Sequence, residues 1–297
     1  NIKVPAEDGE NVVLTIDKNL QYHVEKILQE QIEKSGFKNM SALVMDPNNG
    51  RILAMANLPG YDPADYGNVE SAEAYINHVV EEPYEPASVC KTFTFATGLE
   101  YGVMSPQSMF LNENVTYVDG WPIKNSTQKT ELLGQVDMQT TLNWSLSTGS
   151  TQVLRWLGDS EPDINVQGME RLYNYYHNRF GLGMPSGIEL YENPGTVFSP
   201  DEVEYGVAST YANMTFGQNM QVPMISVAAA FASVINGGNY YTPTIVAGKP
   251  MRQCGEQFRR RLARRCGICC IIRDVRRGVR GLTRMDIMWA ARLALHR

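Results

Sequence analysis

Cysteine is nearly absent from the first 250 residues. Cys90 stands alone there, while Cys254, Cys266, Cys269 and Cys270 all follow residue 250. A single thiol excludes a disulfide framework for residues 1–250. The four histidines (His23, His78, His177 and His296) are scattered, without His-x-x-x-His or Cys-x-x-Cys…His spacing. A zinc site is therefore not expected, and no residue pattern asks for any other cofactor. Cys266 and Cys269 have metal-ligand spacing but no second pair to complete a site. No run of 18 apolar residues occurs, so no segment reads as spanning a membrane. A signal peptide is also lacking. The chain opens Asn1-Ile2-Lys3-Val4-Pro5 with no initiator methionine, and reads as a piece of a longer protein.

Lysine is missing altogether after residue 250. Residues 251–297 carry 13 Arg, no Lys and 3 acids, a net of +10. Residues 1–250 carry 13 Lys and Arg against 29 Asp and Glu, a net of −16. The formal charge of −6 thus averages two different compositions. The acidic part has enough apolar content for a real core, and its charge argues against nucleic acid as a partner. Two regions are expected: a globular domain over 1–250, and an Arg/Cys-rich tail over 251–297.

Along the body, Val12–Ile16 is a short β-prone run. Asp17 then caps an amphipathic helix with Leu20, Val24, Ile27, Leu28 and Ile32 at helical spacing, stopped by Gly36. Ala42–Met45 and Ile52–Met55 are apolar runs joined by Asp46-Pro47-Asn48-Asn49-Gly50, which predicts a hairpin with both strands buried. Residues 59–87 read as loop and 88–101 as a helix ended by Gly102. A β-prone piece at Val115–Val118 lies in a polar stretch. Helices are predicted near 138–157, 165–180 and 224–235, and a strand over Tyr240–Val246. This order predicts an α+β domain with helices packed on a sheet. Gly181, Gly183 and Gly187 miss the spacing of a phosphate loop and read as a turn. Trp144, Trp156 and Met169 read as core, and Tyr173, Tyr175 and Tyr176 as one partly buried helix face.

Ser-x-x-Lys is a candidate nucleophile motif. Residues three apart on a helix share a face, and a lysine kept neutral by burial can take the serine proton. The chain holds three copies. Ser35–Lys38 spans Gly36 at a helix end, and Ser126–Lys129 sits in a polar stretch; both fail the face argument. Ser88–Lys91 opens a helix whose apolar residues (Val89, Phe93, Phe95, Ala96, Leu99) keep helical spacing. Ser88 would lie in the first turn, where the dipole favours developing negative charge. On spacing alone, a capping serine beside a solvated lysine is the better reading. Cys90, inside that turn, reads as a small buried residue rather than a second nucleophile.

The surroundings reverse that preference. Asp8-Gly9…Val13-Leu14-Thr15-Ile16-Asp17, then Met45-Asp46-Pro47…Gly50-Arg51-Ile52-Leu53-Ala54-Met55-Ala56…Pro59-Gly60-Tyr61-Asp62-Pro63, then Glu85-Pro86-Ala87-Ser88-Val89-Cys90-Lys91, then Gly217-Gln218…Val222-Pro223 and Ala228–Gly238 occur in order. Together they resemble the transpeptidase domain of class B penicillin-binding proteins from about residue 8 to 248. The resemblance implies the penicillin-binding-protein/β-lactamase-like transpeptidase fold, an antiparallel sheet packed with helices. It implies Ser88 as nucleophile toward D-Ala-D-Ala stem peptides and Lys91 as general base. The Ser88 N–H and one N–H of the last strand would form the oxyanion hole.

The family's second motif is Ser-x-Asn. Here Ser145-Leu146-Ser147 takes its place, with Ser145 as the proton shuttle and Ser147 at the substrate-binding Asn position. A hydroxyl lacks the reach of a carboxamide. The third motif, Lys-Thr-Gly or Lys-Ser-Gly, does not occur after Gly238, where the resemblance places it. The last catalytic strands are therefore expected to be missing, which would impair the chain as written. The resemblance further implies peptidoglycan stem peptides and β-lactams as partners, and a membrane glycan polymerase alongside. It implies a location on the extracytoplasmic face of the bacterial cytoplasmic membrane, with an N-terminal anchor outside this chain. A serine β-lactamase or β-lactam sensor of the same fold, and a non-catalytic remnant, are the alternatives.

The tail can be tested against the genetic code. Joining the last base of each codon to the first two of the next, Met288-Trp289 forces Val, Trp289-Ala290 forces Gly and Met285-Asp286 forces Gly. The remaining junctions over 285–296 permit Gly-Tyr-Tyr-Val-Gly-Gly-Lys-Thr-Gly-Thr-Ala, which resembles the missing strand. Residues 251–297 are accordingly expected to be an out-of-frame, disordered product of a frameshift near residue 250.

Overall fold

The structure is a computed structural model that describes residues 9–248 except 127, 129, 160 and 161, together with the backbone of 253–256. Eight α-helices and eight short strands are present among the described residues. In chain order they are α1 (Lys18–Ser35), β1 (Met40–Met45), β2 (Ile52–Leu58), α2 (His78–Glu81), α3 (Cys90–Glu100), β3 (Met109–Asn112), β4 (Val115–Val118), β5 (Trp121–Lys124), β6 (Gly134–Asp137), α4 (Met138–Asn143), α5 (Ser147–Leu157), α6 (Val166–Tyr173), α7 (Val207–Met214), α8 (Met224–Ile235), β7 (Asn239–Tyr241) and β8 (Gln253–Glu256). All four ladders, β1–β2, β3–β6, β4–β5 and β7–β8, are antiparallel, so the expected α+β architecture is observed.

The N-terminal part follows its local signals. The Asp17 side chain accepts the Asn19 and Leu20 amides at the start of α1, and Gly36 ends the helix at φ 72°. The hairpin forms as predicted, but only one face of β2 is buried, through Ile52, Ala54 and Ala56. β1 stays half-buried along its length, so the prediction of two buried strands is corrected.

The run Val12–Ile16 is not a ladder strand. It lies extended beside 244–247, with Thr15 N donating to Ile245 O at 2.8 Å and Ala247 N to Val13 O at 2.7 Å. The strand predicted over 240–246 stops after Tyr241, because Pro243 has no N–H to offer; Thr244 and Val246 make isolated bridges instead. The tail expected over 251–297 lies outside the described residues, apart from the backbone of β8, which pairs with β7.

The core gathers around α3, which is buried on nearly every side, from Cys90 through Leu99. Phe93, Leu154, Leu157, Tyr176, Phe180 and Tyr211 pack in the same cluster, each with no exposed surface. A smaller cluster of Ile52, Val79, Val80, Ile188 and Ile225 lies beneath the hairpin. The helix predicted over 138–157 is two helices, α4 and α5, broken at Trp144–Leu146. The helix predicted over 165–180 is α6 followed by a π-helical turn at Asn174–Arg179. Among the three tyrosines there, Tyr175 and Tyr176 are buried and Tyr173 half-buried. Trp144, expected in the core, is 40% exposed because it caps α4 at that break.

Candidate active site

Ser88 sits in a 3₁₀ turn, Ala87–Val89, that runs directly into α3. Ala87 adopts φ 51°, a left-handed conformation rare for a residue with a Cβ. Its amide donates to Gly217 O at 3.0 Å. A Cβ on Gly217 would stand 2.3 Å from Ala87 O, so only glycine lets the two backbones meet. The strained turn leaves Ser88 exposed at the mouth of the site and carries Lys91 inward, where it is 2% exposed.

Lys91 Nζ reaches three oxygens: Ser88 Oγ at 3.1 Å, Ser145 Oγ at 2.9 Å and Ser145 O at 2.6 Å. The Phe216 ring lies over the ammonium, 5.9 Å from Nζ to the centroid. Loss of water lowers the Lys91 pKa from 10.5 to about 8. A neutral fraction is therefore present near pH 7, beside the serine whose proton it would take. Cys90 is fully buried and burial pushes its thiol up, which agrees with the expected inert role.

Ser145 is the residue at which α4 and α5 part. Its φ of 54° turns both its hydroxyl and its carbonyl toward Lys91, a geometry a continuous helix would not give. Leu146 follows, extended and with no exposed surface, and seals the turn against the core. Behind it a buried polar clasp fixes the start of α5. Asn125 Oδ1 accepts the Thr148 amide at 3.0 Å, Thr148 Oγ1 donates to Asn112 Oδ1 at 2.9 Å, and Asn125 Nδ2 donates to Asn112 Oδ1 at 3.0 Å. Asn112 also donates to Leu132 O at 2.6 Å, so β3, β5 and α5 are tied at one point.

Ser88, Lys91 and Ser145 are thus brought into one hydrogen-bonded set. Ser147 is outside it. It opens α5, buried, and its carbonyl accepts the Ser150 and Thr151 hydroxyls at 2.9 and 3.1 Å. Of the two other Ser-x-x-Lys copies, Ser35 donates to Gln31 O at the end of α1, and Lys129 lies outside the described residues. The stretch that would hold a third motif also lies outside them. Sequence reasoning missed Phe216 and the Asn112–Asn125–Thr148 clasp. Their partners are distant in the chain, and no local spacing marks them.

A model of the penicillin binding protein transpeptidase domain matches residues 40–258. Among curated proteins, stage V sporulation protein D of Bacillus subtilis is 32% identical over 243 residues, covering 81% of this chain and 35% of the relative. Penicillin-binding protein PbpB of Mycolicibacterium smegmatis is 28% identical over the same share of each. The chain spans about a third of the length of these relatives. Among solved structures, a protein described as a peptidoglycan glycosyltransferase from Atopobium parvulum superposes with a TM-score of 0.76 at 25% identity, covering 92% of this chain and 61% of that one. The transpeptidase domain of penicillin-binding protein 3 from Burkholderia pseudomallei gives 0.69 at 20% identity, covering 88% and 68%; this likeness speaks to the fold alone.

Proposed function

The chain belongs to the penicillin-binding protein transpeptidase family, on its class B branch, and on that basis we propose that it is the catalytic domain of a peptidoglycan D,D-transpeptidase acting through Ser88. The observation that carries this reading is Lys91: a buried amine bonded at once to Ser88 Oγ and Ser145 Oγ. In the first step Lys91 takes the Ser88 proton as Oγ attacks the carbonyl between the two D-alanines of a stem peptide. The C–N bond breaks, terminal D-Ala leaves with a proton relayed through Ser145, and an ester remains on Ser88. In the second step an amine of another stem peptide attacks the ester, its proton returns to Ser88, and the cross-link forms. A β-lactam follows only the first step: its ring amide opens and the leaving amine stays tethered.

By the same reading, Ser147 stands at the substrate-orienting position. The domain works on the extracytoplasmic face of the membrane, beside a membrane glycan polymerase. Two observations favour a second reading, that the 297 residues as written form a catalytically impaired product: Ser147 replaces the motif Asn, and no Lys-Thr-Gly or Lys-Ser-Gly follows Gly238. The Arg-only composition and the string permitted over 285–296 support an out-of-frame origin for the tail. Strand β8 and the family match to residue 258 support a switch of frame later than residue 250.

DNA sequence across codons 240–297 tests the frame; codons incompatible with Lys-Thr-Gly would sink it. The protein from the restored frame should release D-Ala from a D-Ala-D-Ala pentapeptide and join the remainder to an added amine. Rapid turnover of a chromogenic cephalosporin without that transfer would favour a β-lactamase instead.

A further inference from the structure

We infer that Tyr176 is a positioning residue for the Ser88–Lys91 pair, its buried hydroxyl holding α3 and the Thr215–Asn219 turn in one register. The inference rests on the reading of Ser88 and Lys91 given above. Tyr176 lies in the π-helical turn Asn174–Arg179, a geometry that turns Tyr175 and Tyr176 together into the core. Its hydroxyl is 2.7 Å from Thr94 Oγ1, 3.1 Å from Cys90 O and 3.2 Å from Met214 O. Thr94 Oγ1 in turn donates to Thr215 O at 2.7 Å. Two hydroxyls therefore join the first turns of α3 to the end of α7.

Both ends of this link bear on the site. Cys90 adjoins Lys91, and Thr94 is one turn further along α3. Met214 and Thr215 lead into Phe216, whose ring covers Lys91, and Gly217, whose carbonyl accepts the Ala87 amide. Beyond them the Asn219 amide donates to Glu85 Oε1 at 2.9 Å. The turn thus grips the nucleophile segment at Glu85, Ala87 and Lys91, and Tyr176 sets where that grip falls.

Packing alone does not call for the hydroxyl. The Tyr176 ring sits edge-on to Phe93 at 6.3 Å within an aromatic cluster where phenylalanine would pack as well. A buried hydroxyl costs free energy unless it is bonded, so its presence here is accounted for by the bonds it makes. Burial also raises the phenol well above 10, so it stays a donor at physiological pH.

Two measurements on Tyr176→Phe test this. The first is amide hydrogen exchange at Ala87, whose N–H donates to Gly217 O. It should speed up about tenfold, the equivalent of one hydrogen bond, while Thr97 and Leu99 within α3 keep their rates. The second is phosphonylation of Ser88 by a small serine-directed phosphonofluoridate, followed by mass. The Oγ–P bond forms, the P–F bond breaks, fluoride leaves and Lys91 takes the proton. The rate should fall about tenfold at every pH with its midpoint unmoved, and Thr94→Ser, which keeps a hydroxyl, should react like the parent. Unchanged exchange at Ala87, or equal acceleration throughout α3, overturns the inference. A parent chain unlabelled at Ser88 would overturn the nucleophile assignment instead, and exchange at Ala87 would still decide the role of Tyr176.

Discussion

Ala87 and Gly217 meet backbone to backbone: the Ala87 amide donates to Gly217 O at 3.0 Å, and no room is left for a side chain between them. This contact holds Ala87 in its left-handed conformation and so aims Ser88. Gly217→Ala should cost about 3 kcal/mol or more, from a positive φ and a clash with rigid backbone. Gly120 also has a positive φ (79°) but open space around it, so Gly120→Ala should cost only about 1 kcal/mol. Urea unfolding of both variants separates the clash from the dihedral. Equal losses would show that the contact is not tight.

Burying Lys91 costs stability wherever the unfolded chain holds its proton and the folded chain resists it. With the folded pKa at about 8 against 10.5, that cost, about 3 kcal/mol, is full below pH 8. It fades as pH rises through 8 toward 10.5. Lys91→Met should therefore be more stable than the parent at pH 7, by about 1–3 kcal/mol, with the gap closing by pH 10.5. Denaturant midpoints across that range check the sign. A variant less stable at pH 7 would contradict it.

The clasp behind Ser145 carries its own prediction. Thr148→Val keeps the shape but removes the hydroxyl shared by Asn112 and Asn125. It should cost about 1–3 kcal/mol, since buried amide groups lose a partner. Thr148→Ser should recover most of that in the same thermal or urea measurement.

If Ser145-Leu146-Ser147 takes the place of the family's second motif, as proposed, Ser147→Asn restores its carboxamide at the first residue of α5. The Ser147 carbonyl, which takes the Ser150 and Thr151 bonds, is unaffected. In the restored-frame protein this change should raise the rate of acylation by penicillin about tenfold. A lower rate would mean that the loop has adapted to serine.

How much of this was legible in the sequence follows from the range of each signal. The α1 helix, the β1–β2 hairpin and α8 carry their caps, turns and periodicity within a few neighbours, and all three formed. Ser88 and Lys91 share a helical turn, so spacing made them one candidate pair among three, and the ordered motifs around them, not the spacing, selected it. The break at Ser145 left no local mark: a left-handed serine is held there by Lys91 and by the clasp behind Leu146, not by glycine or proline. β3 and β6 are four-residue strands, too short for alternation to stand out. α7, Val-Ala-Ser-Thr-Tyr-Ala-Asn-Met, is made largely of residues with modest helix preference and forms through tertiary packing. Tyr176 finds Thr94 across 82 residues of chain, which no spacing rule could have paired.

The central claim is that Ser88 is the nucleophile served by Lys91. It is tested most directly by treating the restored-frame protein with labelled penicillin and mapping the adduct by peptide mass spectrometry. The account predicts one adduct, on Ser88, absent in Ser88→Ala and strongly slowed in Lys91→Met. An adduct on Ser145 or any other residue, or no adduct at all, would contradict it.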